Sequence, residues 1–210
     1  MVADQDPTSV VEEISVSRST AVTKSSEFAE FLDRHEACIK ARPWASRYET
    51  LQDAWENCPN PAWLLWALDR AGFSDEDALL AWASACVGQI LHLLLEENSR
   101  RAVATTCQFL KGKATKEELE AACKGATPAH DACWPTAAEA WAARAATELS
   151  SLRARRAANA AAEAATWAAG DRSAWPAVRR VQADMLRVFV RPPVISEVIE
   201  RVRSIDAHGE

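Results

Sequence analysis

The residues best able to do chemistry in this chain are its cysteines and histidines. Cys123, His130 and Cys133 follow a C-x6-H-x2-C spacing, with Cys107 available as a fourth ligand. Structural zinc takes four nitrogen or sulfur ligands. This spacing matches no zinc module closely, and buried thiols on alanine-rich helices account for the same residues. His35 and Cys38 form H-x-x-C, which a helix would put on one face. Two ligands do not make a structural metal site, so the pair reads as a surface histidine above a buried thiol. His92 lies in the most apolar stretch of the chain, three residues after Gln89. Buried without a partner, such a group costs about 1–3 kcal/mol, so a hydrogen bond to a neighbouring helix is expected. Cys86 is six residues away and on another helical face, which weakens any nucleophile–base pair. His208 belongs to the C-terminal tail. There is no phosphate-binding glycine loop, nucleophile elbow, H-E-x-x-H or calcium loop. These residues imply no catalytic side chain, no bound metal and no cofactor.

The most distinctive local pattern is aromatic. Trp55, Trp63 and Trp66 lie within twelve residues on either side of Cys58-Pro59-Asn60-Pro61, interleaved with Asp53, Glu56 and Asp69. Tryptophan serves both cores and interfaces, because it buries a large surface and keeps a polar N–H. Two readings stand side by side. The indoles pack two adjacent helices together, or they form an aromatic anchor ringed by carboxylates and suited to a basic protein surface.

Composition narrows the class. Of 210 residues, 49% are hydrophobic and 26% charged, a globular balance and not a disordered one. Residues 1–133 hold 21 acidic and 13 basic side chains, residues 134–210 hold 9 and 11. An acidic chain is poorly suited to nucleic acid, which demands cations for its phosphates; it suits a basic partner or simple solubility. No apolar run approaches the length that crosses a membrane. The polar, acidic start lacks a secretory apolar segment. The expectation is a cytoplasmic protein with reduced, mostly buried thiols.

The elements that must position these residues are helices. Alanine is abundant, and there are only 6 glycines and 1 tyrosine. Residues 1–24 show no period and read as a flexible arm. The first helix is expected from Ser25 or Ser26 to Ile39, closed by Pro43, and a second over Arg47–Asn57. Pro61 starts a third, Ala62–Ala71, which Gly72 ends. Ser74 and Asp77 open an all-round apolar core helix from Asp75 to about Glu97. Arg100–Leu110 follows, with Gly112 as its stop. Thr115 and Glu118 form a capping box for Lys116–Lys124, broken at Thr127-Pro128. The alanine-rich stretch from Thr136 to Ala169 is too long for one globular helix and should break near Ser150-Ser151 into an antiparallel pair, with Gly170 as the stop. Trp175–Val190 carries Val181, Met185, Leu186 and Phe189 as its stripe. A last short amphipathic helix, Val194–Ile205, follows Pro192-Pro193 and is a candidate surface for self-association. The sum is an all-α, single-domain multi-helix bundle of about eight to nine mostly antiparallel helices, spanning 25–191, with 192–210 as a short helix and tail.

The run Ala54-Trp55-x-x-Cys58-x4-Trp63-Leu64-Leu65-Trp66 resembles the opening of a helical family of immunity proteins from bacterial polymorphic toxin systems. Ala81 to His92, the alanine-rich pair after Thr136 and Gln182–Arg187 resemble its later helical blocks, so the likeness spans roughly residues 44–190. It implies an all-helical protein that neutralises a cognate toxin by direct binding, with no catalytic residues. The arm before it and the segment after Pro193 depart from the pattern. The partner surface expected from the two readings combined is Asp53, Trp55, Glu56, Trp63, Trp66 and Asp69, facing a basic toxin domain. The alternatives are a helical regulatory or phage-type protein that acts as a homo-oligomer through Val194–Ile205, and a small-molecule binder with a pocket between helices.

Overall fold

A computed structural model describes residues 32–130 and 137–190, together with Ser204, with backbone alone for 127–130 and for Ser150. The expected arm, the start of the first helix, Cys133, the cap at Thr136 and the Val194–Ile205 segment lie outside these residues. The described chain is all-α, with no strand among the described residues. In order the helices are α1 (Arg42–Ala45), α2 (Leu51–Asn57), α3 (Pro61–Arg70), α4 (Glu76–Gly88), α5 (Glu97–Leu110), α6 (Lys116–His130), α7 (Ala137–Ser150), α8 (Ala154–Ala168) and α9 (Trp175–Phe189); 3-10 turns lie at Leu91–Leu93 and Arg172–Ala174. Among the described residues no helix is long and apolar enough to cross a membrane.

Local signals explain most of these boundaries. Thr50 caps α2, its hydroxyl accepting from the Asp53 N–H at 3.0 Å. Asp75 caps α4 through the Ala78 N–H at 2.9 Å. The capping box of α6 is reciprocal: the Thr115 N–H donates to the Glu118 carboxylate at 2.7 Å and the Glu118 N–H to the Thr115 hydroxyl at 3.2 Å. Gly72, Gly112 and Gly170 end α3, α5 and α8 with φ between 66° and 71°, the left-handed backbone that glycine adopts without penalty.

The core forms where α4, α7, α8 and α9 meet. Trp82, Ala83, Cys86 and Val87 of α4 are buried against Ala142, Ala145, Ala146 and Leu149 of α7, Ala157, Ala158, Ala161 and Ala164 of α8, and Ala183 and Leu186 of α9. Alanine contributes only a methyl group, so stability here comes from close approach of the helix backbones and the many contacts that follow. Two indole groups anchor this small-residue core: Trp82, 1% exposed, and Trp55, 4% exposed. The indole N–H of Trp82 donates to the Gln182 carbonyl at 2.9 Å, joining α4 to α9.

The alanine-rich stretch breaks over 151–153, as its length requires. The break uses no glycine. Leu152 takes φ 58°, with its N–H on the Leu149 carbonyl and the Arg153 N–H on the Glu148 carbonyl, both at 2.9 Å. That is a Schellman closure with leucine at the left-handed position.

Several boundaries differ from expectation. The apolar helix expected to reach Glu97 stops at Gly88, and the chain passes through a 3-10 turn to an extended Leu94. The Leu94 carbonyl, freed from a helical ladder, accepts the Arg100 guanidinium at 2.6 Å. The expected first helix does not reach Ile39. Glu36 turns left-handed at φ 53°, and the Ala37 N–H closes on the Leu32 carbonyl at 2.9 Å. His35 and Cys38 therefore share no helical face, and Cys38 is exposed instead of buried. Pro43 begins a helix instead of ending one, because it lies in the first turn of α1, where its missing N–H costs nothing. The second helix starts at Leu51, where Thr50 caps it, and not at Arg47. Conversely, α6 runs through Pro128 to His130: one lost bond within a turn of the end does not stop a helix.

Candidate functional site: the tryptophan corner

The corner is built on the turn Cys58-Pro59-Asn60-Pro61 between α2 and α3. Each proline drives the residue before it into extended backbone: Cys58 has ψ 118° and Asn60 has ψ 106°. Asn60 then caps α3, its side-chain oxygen accepting from the Ala62 N–H at 3.0 Å. Cys58 turns inward, its thiol donating to the Asn60 carbonyl at 3.3 Å. Burial pushes that thiol up to about 11, opposed by the Asn60 backbone and by the charge of Arg187. In the core behind it, burial pushes the Cys86 thiol up to about 12, opposed by Arg179. Both are poor nucleophiles at neutral pH, where the thiolate is the reactive form.

The three expected indoles separate by role. Trp55 belongs to the core, so its ring is packing and not contact surface. Trp63 and Trp66 are half-buried. The Trp63 ring lies 5.5 Å from Trp44 at 42°, and Trp44 lies 5.0 Å from Tyr48 at 48°, an inclined aromatic chain. Trp66 packs on the small cluster of Leu32, Ala37, Ala45 and Ala54. An apolar cleft lined by Leu32, Trp44, Leu51, Trp55, Trp63 and Trp66 runs between them.

The three expected carboxylates are all exposed. Asp53 accepts the Thr50 hydroxyl at 2.7 Å, and Glu56 accepts the Gln52 amide at 2.6 Å. Among the described residues, neither has a cation within salt-bridge distance. Asp69 differs, since the Arg155 guanidinium stands 3.5 Å away and also reaches the Leu65 carbonyl at 3.4 Å. Asp53 and Glu56 thus share the outer side of α2, one turn apart, while Asp69 is engaged with α8.

The residues that hold the corner are arginines that the sequence pattern did not single out. From α9, Arg187 donates through Nε to the Trp55 carbonyl at 2.8 Å, through a second nitrogen to the Cys58 carbonyl, and through the third to Asp184 at 2.7 Å. Arg179, 8% exposed, donates to Asn159 at 2.7 Å, to Gln182 at 3.3 Å and to Asn60 at 3.3 Å. Its guanidinium lies 5.4 Å from the Trp175 ring. Burial lowers its pKa, opposed by nearby Cys86 and Glu163. Gln182 completes the set by donating to the Ala158 carbonyl at 2.8 Å. The signal was present: Arg179, Gln182, Ala183 and Leu186 repeat at helical spacing. This is the stripe α9 buries most deeply; of the expected one, Leu186 is buried and Met185 and Phe189 pack on the core, while Val181 is 44% exposed.

The other chemical candidates stay apart. His92 is exposed in its 3-10 turn while Cys86 is buried, so they form no pair, and His92 needs no buried partner. Gln89 reaches the Met185 sulfur of α9 at 3.2 Å. Among the described residues no three His, Cys, Asp or Glu side chains converge as a metal site. Cys107 is a half-buried free thiol and Cys123 is half-buried with its sulfur 3.1 Å from the Ser151 hydroxyl, whereas Cys133 and the His130 side chain lie outside the described residues. Compared with known proteins, the chain matches no family model, no curated protein and no solved structure.

Proposed function

We propose that this chain is an immunity-type protein that neutralises a cognate bacterial toxin by direct binding, not by catalysis. Its contact surface is the α2–α3 corner. Trp63 and Trp66 supply rigid aromatic area, and Asp53 and Glu56 supply charge toward a basic surface, while Asp69, held by Arg155, stands at its edge. The observation that carries this reading is the pair Asp53 and Glu56: two exposed carboxylates with no cation within salt-bridge distance among the described residues, Glu56 feeling only the longer-range charge of Arg187, beside half-buried indoles. Paired carboxylates would have little left to offer a partner, and isolated aromatics would give no preference for a basic one. The likeness of the Trp55–Trp66 run to the immunity-protein family supports the same conclusion. In this reading the protein works in the cytoplasm, where its thiols stay reduced.

The test is protection of growth. The chain is co-expressed with each candidate toxin-domain gene from the neighbourhood of its own gene in the native genome, and survival is compared with that of D53K/E56K. Protection by the wild type and its loss in the double variant are expected. Cells killed equally with and without the wild-type chain would remove the basis for the proposal.

A further inference from the structure

We infer that Arg179 and Arg187 act together as a two-point clamp that sets the shape of the α2–α3 turn, so that the tryptophan corner is presented ready-formed. This rests on the proposed role of that corner as the contact surface, but the clamp stands on its own geometry.

The need for it is written in the turn. Pro59 and Pro61 remove two backbone donors from four residues, and the residues before them are forced into extended backbone. The turn therefore has more carbonyls than N–H groups to satisfy them, and buried carbonyls must find donors elsewhere. The Trp55 carbonyl receives only a long bond, 3.4 Å, from the Cys58 N–H. The C-terminal carbonyls of α2 also carry the negative end of the helix dipole. Arg187 supplies what is missing, with one guanidinium bridging the Trp55 and Cys58 carbonyls while Asp184 steadies its far side. Two turns earlier on α9, Arg179 reaches the Asn60 side-chain oxygen, the same atom that caps α3. One helix thus grips the turn before Pro59 and again at Asn60. Its grip is backed by the neutral Asn159, Gln182 and Trp175 ring, and among the described residues no carboxylate lies within salt-bridge distance of Arg179.

A planar guanidinium can serve two carbonyls and a carboxylate at once; an ammonium is a point donor on a flexible stem. A clamp therefore differs from a mere positive charge, and Arg187→Lys separates the two. The experiment is amide hydrogen exchange by NMR on the full chain, following Ala62, Trp63 and Leu64 at the start of α3 and Ala145 and Ala157 in the α7–α8 core. In R187M, exchange at 62–64 should rise by about tenfold or more, the equivalent of one lost charge-assisted bond. R187K, which keeps the charge and carries the test if R187M does not fold, should still show a rise of at least about threefold. R179M should loosen the same amides, and R180M, on the exposed side of α9, should leave them unchanged. Two results overturn the clamp: exchange at 62–64 within a factor of about two of wild type in both Arg187 variants, or an equal rise at Ala145 and Ala157, which would make these arginines general stabilisers. Failure of growth protection would refute the proposed function and leave this result untouched.

Discussion

Replacing Trp82 with Phe isolates the bond that joins α4 to α9. Trp82 is 1% exposed, and its indole donates to the Gln182 carbonyl at 2.9 Å. Phenylalanine keeps most of the aromatic area and loses the donor. The Gln182 carbonyl lies inside α9 and retains its helical bond from the amide four residues on, so the penalty falls at the low end of the range for a lost partner, about 1 kcal/mol. The missing second ring leaves a gap between α4 and α9 that alanine neighbours such as Ala183 cannot fill, worth about 1–2 kcal/mol. The total, roughly 2–3 kcal/mol, corresponds for a chain of this size to a fall in melting temperature of about 4–12 °C. Thermal unfolding followed by far-UV circular dichroism measures it, with W82A as the upper bracket at about 3–5 kcal/mol. A fall in W82F of less than about 2 °C would show that neither the bond nor the indole volume matters, and the account of the core would be wrong.

Other outcomes concern the glycine stop, the capping box and the thiols. Gly112→Ala meets no atom within 4 Å, so its cost is backbone strain at φ 66°, about 1 kcal/mol after the smaller entropy of the unfolded chain is credited; a urea midpoint shift reads it. Thr115→Ala removes one half of the α6 capping box and should lower stability by about 1 kcal/mol by the same measurement, while Glu118→Gln should cost less, since an amide oxygen still accepts. Cys58 and Cys86 are raised from an ordinary 9.0 to about 11 and about 12. The folded state therefore keeps protons that the unfolded state has already released. Their contribution is fully present below pH 9 and fades as pH rises from there toward 11 and 12, at up to roughly 1.4 kcal/mol per group per pH unit. Denaturant titrations at pH 8 and pH 10 should show the loss in wild type and a smaller one in C58A/C86A. At neutral pH an aromatic disulfide reagent should modify exposed Cys38 in the folded chain and reach Cys58 and Cys86 only on unfolding.

The helices were legible because their punctuation is local. Gly72, Gly112 and Gly170, the Thr115–Glu118 box and the Pro61 start each act within a few residues, so one sequence window contains the whole cause. What escaped was decided between distant residues or against a local preference. Nothing near Gly88 announces that the chain leaves the helix there, since Leu94 and Arg100 settle it by a contact. Leu152 and Glu36 take a backbone conformation that their side chains disfavour because the closing hydrogen bonds outweigh the strain. The corner was half legible. Its aromatic and acidic residues stand together in the sequence, but whether an indole faces core or solvent depends on what covers it, and the core covers Trp55 wholly and Trp63 only in part. The arginines that hold the turn lie 119 to 132 residues away. Only the polar positions inside the buried stripe of α9 hinted at them.

The central claim, action by binding through the tryptophan corner, is tested most directly by mixing the purified chain with purified toxin-domain candidates taken from the neighbouring genes of its native genome and measuring affinity by titration calorimetry. The account predicts a stoichiometric complex that D53K/E56K weakens by about tenfold or more, since reversing charges that face a basic surface turns attraction into repulsion. A complex of unchanged affinity in D53K/E56K, or no complex with the wild-type chain, would contradict it.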